Sequence, residues 1–165
     1  MSTPFKFIAE NLSDTKKFAE ILSKFISSLG ILICLYGDIG SGKTTFVKYL
    51  AEFLGIKQKV TSPSFVILNE YHSPKTSLYH FDLYRLEKEG VDTIIDELSE
   101  YTEKENSVTI IEWAEFSSDN LPKNRLEIQI KYLDETKREF LIRGFGDKNI
   151  SILQKIADLY CFLRK

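Results

Sequence analysis

The chain is poor in sulfur, with only two cysteines and one methionine among 165 residues. No C-x-x-C pair occurs, and the two histidines, His72 and His80, lack ligand-like spacing with Cys34 or Cys161. A structural zinc site is therefore not expected. Both cysteines lie in apolar segments and read as buried, reduced thiols. Long apolar runs are also missing. The longest, Ile31-Leu32-Ile33-Cys34-Leu35-Tyr36, is six residues, far short of a membrane span. The first residues show no apolar core behind a basic flank, so secretion is not expected. Nor is there a surplus of positive charge. A formal net charge of -2 and a pI near 5.8 argue against a chain that grips nucleic acid by itself. Internal repeats, low-complexity tracts and linkers are absent, and the length suits one domain spanning 1–165.

What is present is a complete phosphate-binding loop. Gly37-Asp38-Ile39-Gly40-Ser41-Gly42-Lys43-Thr44 matches G-x-x-x-x-G-K-[ST], a pattern that arises by chance in a chain of this length at a rate somewhat under ~1%. Its glycines permit positive φ and close backbone approach. Successive N–H groups and a helix N-terminus then face a triphosphate. Lys43 is placed to reach the β- and γ-phosphates, and the Thr44 hydroxyl to ligate Mg²⁺. The context agrees. The six-residue run before the loop reads as a strand buried on both faces. After the loop, Phe46, Leu50, Phe53 and Leu54 share a helical face that Gly55 closes.

Around this unit the pattern predicts an α/β fold, with a central mixed sheet that is antiparallel over a sizeable part and flanked by helices. Phe5 to Ile8 reads as an edge strand. A helix capped by Ser13 runs through about Ser28, with Phe18, Ile21, Leu22, Phe25 and Leu29 as its core stripe. Ser64–Tyr71 and Ser77–Tyr84 read as a hairpin about Ser73-Pro74-Lys75. A short helix near Asp92 to Tyr101 precedes a buried strand, Val108 to Ile111. Arg125 to Leu133 alternates, with Leu126, Ile128, Ile130 and Tyr132 on one face, and Arg138 to Ile142 pairs with it. A last helix starts at about Lys148 and carries Ile152, Ile156, Leu159, Tyr160 and Leu163. Small basic clusters, Lys57-Gln58-Lys59 and Arg164-Lys165, read as solvated surface.

A phosphate loop needs an acid to position Mg²⁺ or water, usually at the end of a neighbouring strand. Glu112 directly follows the apolar run Val108 to Ile111, and Asp82 lies within His80-Phe81-Asp82-Leu83-Tyr84-Arg85. Either fits, and either could instead be a solvated strand end or a partner of Arg85. Thr61-Ser62-Pro63-Ser64 occupies the interval where P-loop switch proteins sense the γ-phosphate, although a plain turn reads equally well. Trp113, the single tryptophan, packs in the core or stacks near the nucleotide.

Together these segments resemble the bacterial TsaE (YjeE) ATPases. Gly37 to Phe46, Ser62-Pro63-Ser64-Phe65, Tyr79 to Leu86 and Ile111-Glu112-Trp113 stand in that family's order and spacing, and the likeness runs from roughly Ser13 to Leu141. The His-x-Asp-Leu-Tyr-Arg and Glu-Trp pieces carry more specificity than the loop. The resemblance implies a cytoplasmic accessory protein that hydrolyses ATP with Mg²⁺ during threonylcarbamoyladenosine modification of tRNA. It further implies that the protein binds and resets a heterodimer of TsaB and TsaD, meets tRNA only through those partners and contacts no membrane. Lys43, Asp82 and Glu112 take the catalytic roles by motif match. Asp38, Ile39, Gly40, Ser41, Gly42, Lys43, Thr44, Thr45, Ser62, Ser64 and Trp113 surround the nucleotide, and Thr44 and Glu112 hold the metal. Two positions depart from the family pattern: Ser64 stands where threonine is commoner, and Ala114 where proline is.

The main alternative is a small-molecule or nucleotide kinase, which shares the loop. Such enzymes usually carry a lid with clustered arginines, whereas Arg85, Arg125, Arg138, Arg143 and Arg164 are dispersed. A GTP switch would commonly use Asn-Lys-x-Asp for guanine, and no such run exists. An adaptor with an idle loop is the third reading. With no arginine finger evident in cis, slow hydrolysis by the lone protein is expected.

Overall fold

The computed structural model describes residues 3–27 and 29–164; Ser28, the expected end of the first helix, and Lys165 lie outside the described residues. Seven strands form one sheet: β1 (Phe5–Ala9), β2 (Ile31–Tyr36), β3 (Leu68–His72), β4 (Ser77–Asp82), β5 (Ser107–Glu112), β6 (Arg125–Tyr132) and β7 (Arg138–Phe145). The helices are α1 (Leu12–Ile26), α2 (Lys43–Phe53), α3 (Leu86–Glu89), α4 (Ile95–Thr102) and α5 (Asp147–Leu163). The strand order is β1-β7-β6-β2-β5-β4-β3. β6, β2, β5 and β4 pair in parallel at the centre, and β3 on one side with β7 and β1 on the other pair antiparallel. The mixed sheet expected from the alternating segments is the one found.

Alternation along the strands sorts two apolar layers. Ile31, Ile33, Leu35, Val108, Ile110, Leu126 and Ile128 meet α1, α2 and α5 on one face. Leu32, Cys34, Tyr79, Phe81 and Ile111 meet α3 and α4 on the other. The expected helix stripes are deep in the first layer, with Phe18, Ile21, Leu22, Phe46, Leu50 and Leu54 fully buried. An aromatic cluster welds this layer together. Phe7 stacks on Phe140 at 4.9 Å, and both touch Phe18. Phe140 lodged there fixes β7 beside the phosphate loop.

Several boundaries differ from the sequence pattern. Asn11, not Ser13, caps α1: its side chain accepts from the Asp14 N–H at 3.1 Å, and Asp14 accepts in return from the Glu10 N–H. Two good caps stood close together, and the upstream one gains the reciprocal bond; such a cap contributes ~1 kcal/mol. Residues 64–67 form a turn, not the start of a strand. Pro63 O accepts from the Val66 and Ile67 amides, and Ile67 sits at φ 70. The helix expected near Asp92 begins at Ile95, and α3 was not expected. Cys34 is buried, and burial pushes its thiol above the ordinary range, but Cys161 is exposed beside the exposed Phe162 on the outer side of α5. Tyr132 and Leu163 are likewise half exposed although they continue apolar stripes. No helix among the described residues is long and apolar enough to cross a membrane.

Candidate functional site

The phosphate loop joins the carboxyl end of β2 to α2, and β5 and β4 end beside it, Leu35 pairing with Glu112 and Glu112 with Asp82. Ligands of open α/β sheets bind at this end of the strands. Gly37 has φ +150, and a Cβ there would collide with the Ile130 carbonyl oxygen and the Ser41 hydroxyl. Gly40 and Gly42 take φ +78 and +106, conformations that glycine adopts without strain. The loop bounds a cleft of about 440 Å³. Residues 39–45, Ser62, Ser64, Asp82, Glu112 and Trp113 all line it. Of the expected contacts, Asp38 alone does not line the cleft; its carbonyl instead accepts from the Ser41 N–H at 3.0 Å and from Lys43 Nζ at 3.1 Å.

Lys43 Nζ folds back onto the loop, donating also to the Gly37 carbonyl, and lies 3.9 Å from the centre of the Trp113 ring. Burial holds its ammonium below the usual lysine range, against the pull of Glu112, Glu115, Asp82 and Asp38. Trp113 does both things expected of it: half-buried, it packs against the α3–α4 layer, stacking on Phe116 at 5.8 Å and meeting Tyr84 at 5.0 Å, and it also borders the cleft. Its backbone is left-handed, at φ 58, a conformation that costs a bulky residue of order 1–3 kcal/mol.

The two acids have different neighbours. Glu112 is almost fully buried; Thr44 donates to its two oxygens at 3.0 Å each, and His80 Nε2 lies 2.8 Å from Oε1. Asp82 Oδ2 accepts from Ser62 at 2.8 Å and Ser64 at 2.9 Å, and its Oδ1 accepts from the Tyr84 N–H. Neither acid is a solvated strand end. Arg85 does not pair with Asp82; it donates to the Phe65 carbonyl. The hydroxyl-rich segment is thus tied to the carboxylate that ends β4, and Phe65 and Val66 stand exposed just beyond it.

The donor set suits Mg²⁺. A hydroxyl and a carboxylate, both hard oxygen donors, stand together beside the loop, and Mg²⁺ commonly binds through one or two protein oxygens together with phosphate oxygens. Among the described residues no cluster of three or more His, Cys, Asp or Glu forms an all-protein cage.

Arg138 was not singled out by the sequence. From the start of β7 it donates Nε to Ser41 O at 2.9 Å and Nη1 to Asp134 O at 2.7 Å, while its guanidinium stacks over Tyr132. It shares a face of β7 with Phe140, which directs it at the loop. Its Nε and Nη2 thereby occupy the Ser41 and Gly40 carbonyls of the loop. Only a long-range pairing between β6–β7 and the loop reveals this, and no local pattern carries that signal.

Comparison with known proteins agrees with this geometry. Residues 9–140 match the family model described as threonylcarbamoyl adenosine biosynthesis protein TsaE. The tRNA threonylcarbamoyladenosine biosynthesis protein TsaE of Bacillus subtilis is 36% identical over 92% of this chain and 93% of its own length. That of Aquifex aeolicus is 39% identical over 82% and 92%. The crystal structure of Bacillus subtilis YdiB superposes with a TM-score of 0.81 at 32% identity, covering 96% of this chain and 97% of that one.

Proposed function

The chain belongs to the TsaE family of threonylcarbamoyl adenosine biosynthesis proteins, and from that membership we propose that it is a single-domain, Mg²⁺-dependent ATPase of the cytoplasm that binds and resets the TsaB–TsaD complex during tRNA modification. The observation that carries the reading is the meeting of Thr44 with Glu112 beside Lys43 and Asp82, in one cleft at the carboxyl ends of adjacent strands. The loop amides and Lys43 receive the β- and γ-phosphates; to do so Lys43 leaves the Gly37 and Asp38 carbonyls that it caps. Thr44 and Glu112 are the residues that would hold Mg²⁺, which supplies charge neutralisation on the β- and γ-oxygens. Asp82 orients the attacking water, and Ser62 and Ser64 report the state of the γ-phosphate to the exposed segment beyond them.

Two features favour a partner-gated rate. Among the described residues Arg138 is the arginine that lines the cleft, and its donors engage loop and turn carbonyls, not the space for a phosphoryl group. A net charge of -2 gives the chain no overall positive charge with which to hold tRNA, which favours meeting tRNA through the partners. The test is threonylcarbamoyl-tRNA formation by TsaB and TsaD with this chain and ATP. Multiple turnover should require the chain, and Lys43→Ala should not support it. A Lys43→Ala chain as effective as wild type would overturn the reading, and a phosphorylated small acceptor would restore the kinase alternative.

A further inference from the structure

The buried ring of His80 is the feature that these roles leave unused. It is 0% exposed, on β4 two residues before Asp82 and in register with Ile110 of β5. Its Nε2 lies 2.8 Å from Glu112 Oε1, while its Nδ1 is buried with no hydrogen-bond partner among the described residues. A proton on Nδ1 would be a buried donor without a partner, which is unfavourable. A proton on Nε2 is donated to a carboxylate instead. The geometry therefore points to the Nε2–H tautomer, with the imidazole as a fixed donor to one oxygen of Glu112.

We propose that His80 is a positioning residue of the nucleotide site: it anchors Oε1 of Glu112 and leaves Oε2 as the oxygen that is free of the imidazole beside Thr44. The inference rests on the reading of Glu112 as the acid on the Mg²⁺ side. The distances divide the labour between the two oxygens. Thr44 is equidistant from both at 3.0 Å and fixes neither one alone, whereas His80 engages Oε1 only. Without His80 the carboxylate can rotate about its last torsion, which is broad and roughly two-fold for glutamate. Partners of this kind commonly set metal affinity by 10–100-fold. On the same face Leu78 and Ile110 are fully buried and apolar, and Asn69, in register with His80 on β3, gives its amide to the Thr61 carbonyl, so Thr44 is the other side chain that donates to Oε1.

The decisive experiment titrates a fluorescent ADP analogue against wild type, His80→Leu and His80→Gln, each with Mg²⁺ and with EDTA. His80→Leu should raise the Mg²⁺ concentration for half-maximal enhancement of binding by about tenfold or more, with EDTA affinity within about twofold of wild type. His80→Gln, which restores an N–H donor, should recover most of the loss. If wild type responds to Mg²⁺ and His80→Leu responds equally, the positioning role is wrong while the site reading stands. If wild type itself shows no Mg²⁺ response, the Glu112 reading fails and this inference with it. A second measurement needs no variant and guards against misfolding of His80→Leu. With only two histidines in the chain, ring ¹⁵N spectra of the wild-type protein resolve each one. The Nε2–H tautomer for His80, kept on addition of Mg²⁺ and nucleotide, supports the proposal; the Nδ1–H tautomer overturns it.

Discussion

Thr44 and Glu112 are 68 positions apart in sequence, yet the Thr44 hydroxyl lies 3.0 Å from both oxygens of the Glu112 carboxylate. The contact links the first turn of α2, which follows the phosphate loop, to the last residue of β5, the strand paired with β2. Glu112→Gln preserves the volume and removes the charge. It should lower ATP hydrolysis about 100-fold or more, the scale for losing one preorganised stabilising group. ADP affinity in EDTA should stay within about threefold of wild type, and steady-state phosphate release beside equilibrium binding separates the two effects.

Asp82 should divide binding from turnover more sharply. Its Oδ2 collects the Ser62 and Ser64 hydroxyls, and it would orient water rather than hold the loop. Asp82→Asn is expected to cut the single-turnover rate at least ~100-fold while leaving the nucleotide dissociation constant nearly unchanged. Ser64→Thr, which keeps the hydroxyl, should stay within about twofold of wild type.

The position of Lys43 under the only tryptophan gives an intrinsic reporter. Its ammonium is 3.9 Å from the Trp113 ring centre, a cation–π contact that withdrawal toward phosphates would break. Nucleotide should therefore change Trp113 emission saturably, with a midpoint equal to the dissociation constant. Lys43→Ala should start from an already altered emission and respond little.

Arg138 should behave as part of the loop although it lies on β7. Removing its fork frees the Gly40 and Ser41 carbonyls to turn inward. Arg138→Ala is expected to weaken ADP binding by about tenfold, and Arg138→Lys to rescue it poorly, because an ammonium lacks the planar set of donors. Isothermal titration of the three proteins checks this.

What the sequence disclosed follows from range. The loop, its strand and its helix are contiguous, so glycine spacing and apolar periodicity reveal them directly. Glu112 is visible as the residue that closes the apolar run Val108 to Ile111, whereas Asp82 stands inside a segment that reads as strand through Tyr84, and only the fold ends β4 there. Residues 64–67 were misread as strand because Phe65-Val66-Ile67 has strand composition, while the competing demand comes from Asp82, which draws Ser62 and Ser64 into a turn. Asn11 displaced Ser13 through one bond to Asp14. Arg138 stayed hidden because its meaning depends on an antiparallel strand packed against the loop through Phe140. The four-residue α3 is too short for any period to show.

The most direct test of the account is steady-state ATP hydrolysis by the chain with Mg²⁺, alone and with purified TsaB and TsaD. Turnover should be slow alone, rise tenfold or more on adding the heterodimer by the logic of a site completed in trans, and be lost under both conditions in Lys43→Ala. A lone chain already at its full rate and indifferent to the heterodimer, or a Lys43→Ala chain that hydrolyses as wild type does, would contradict it.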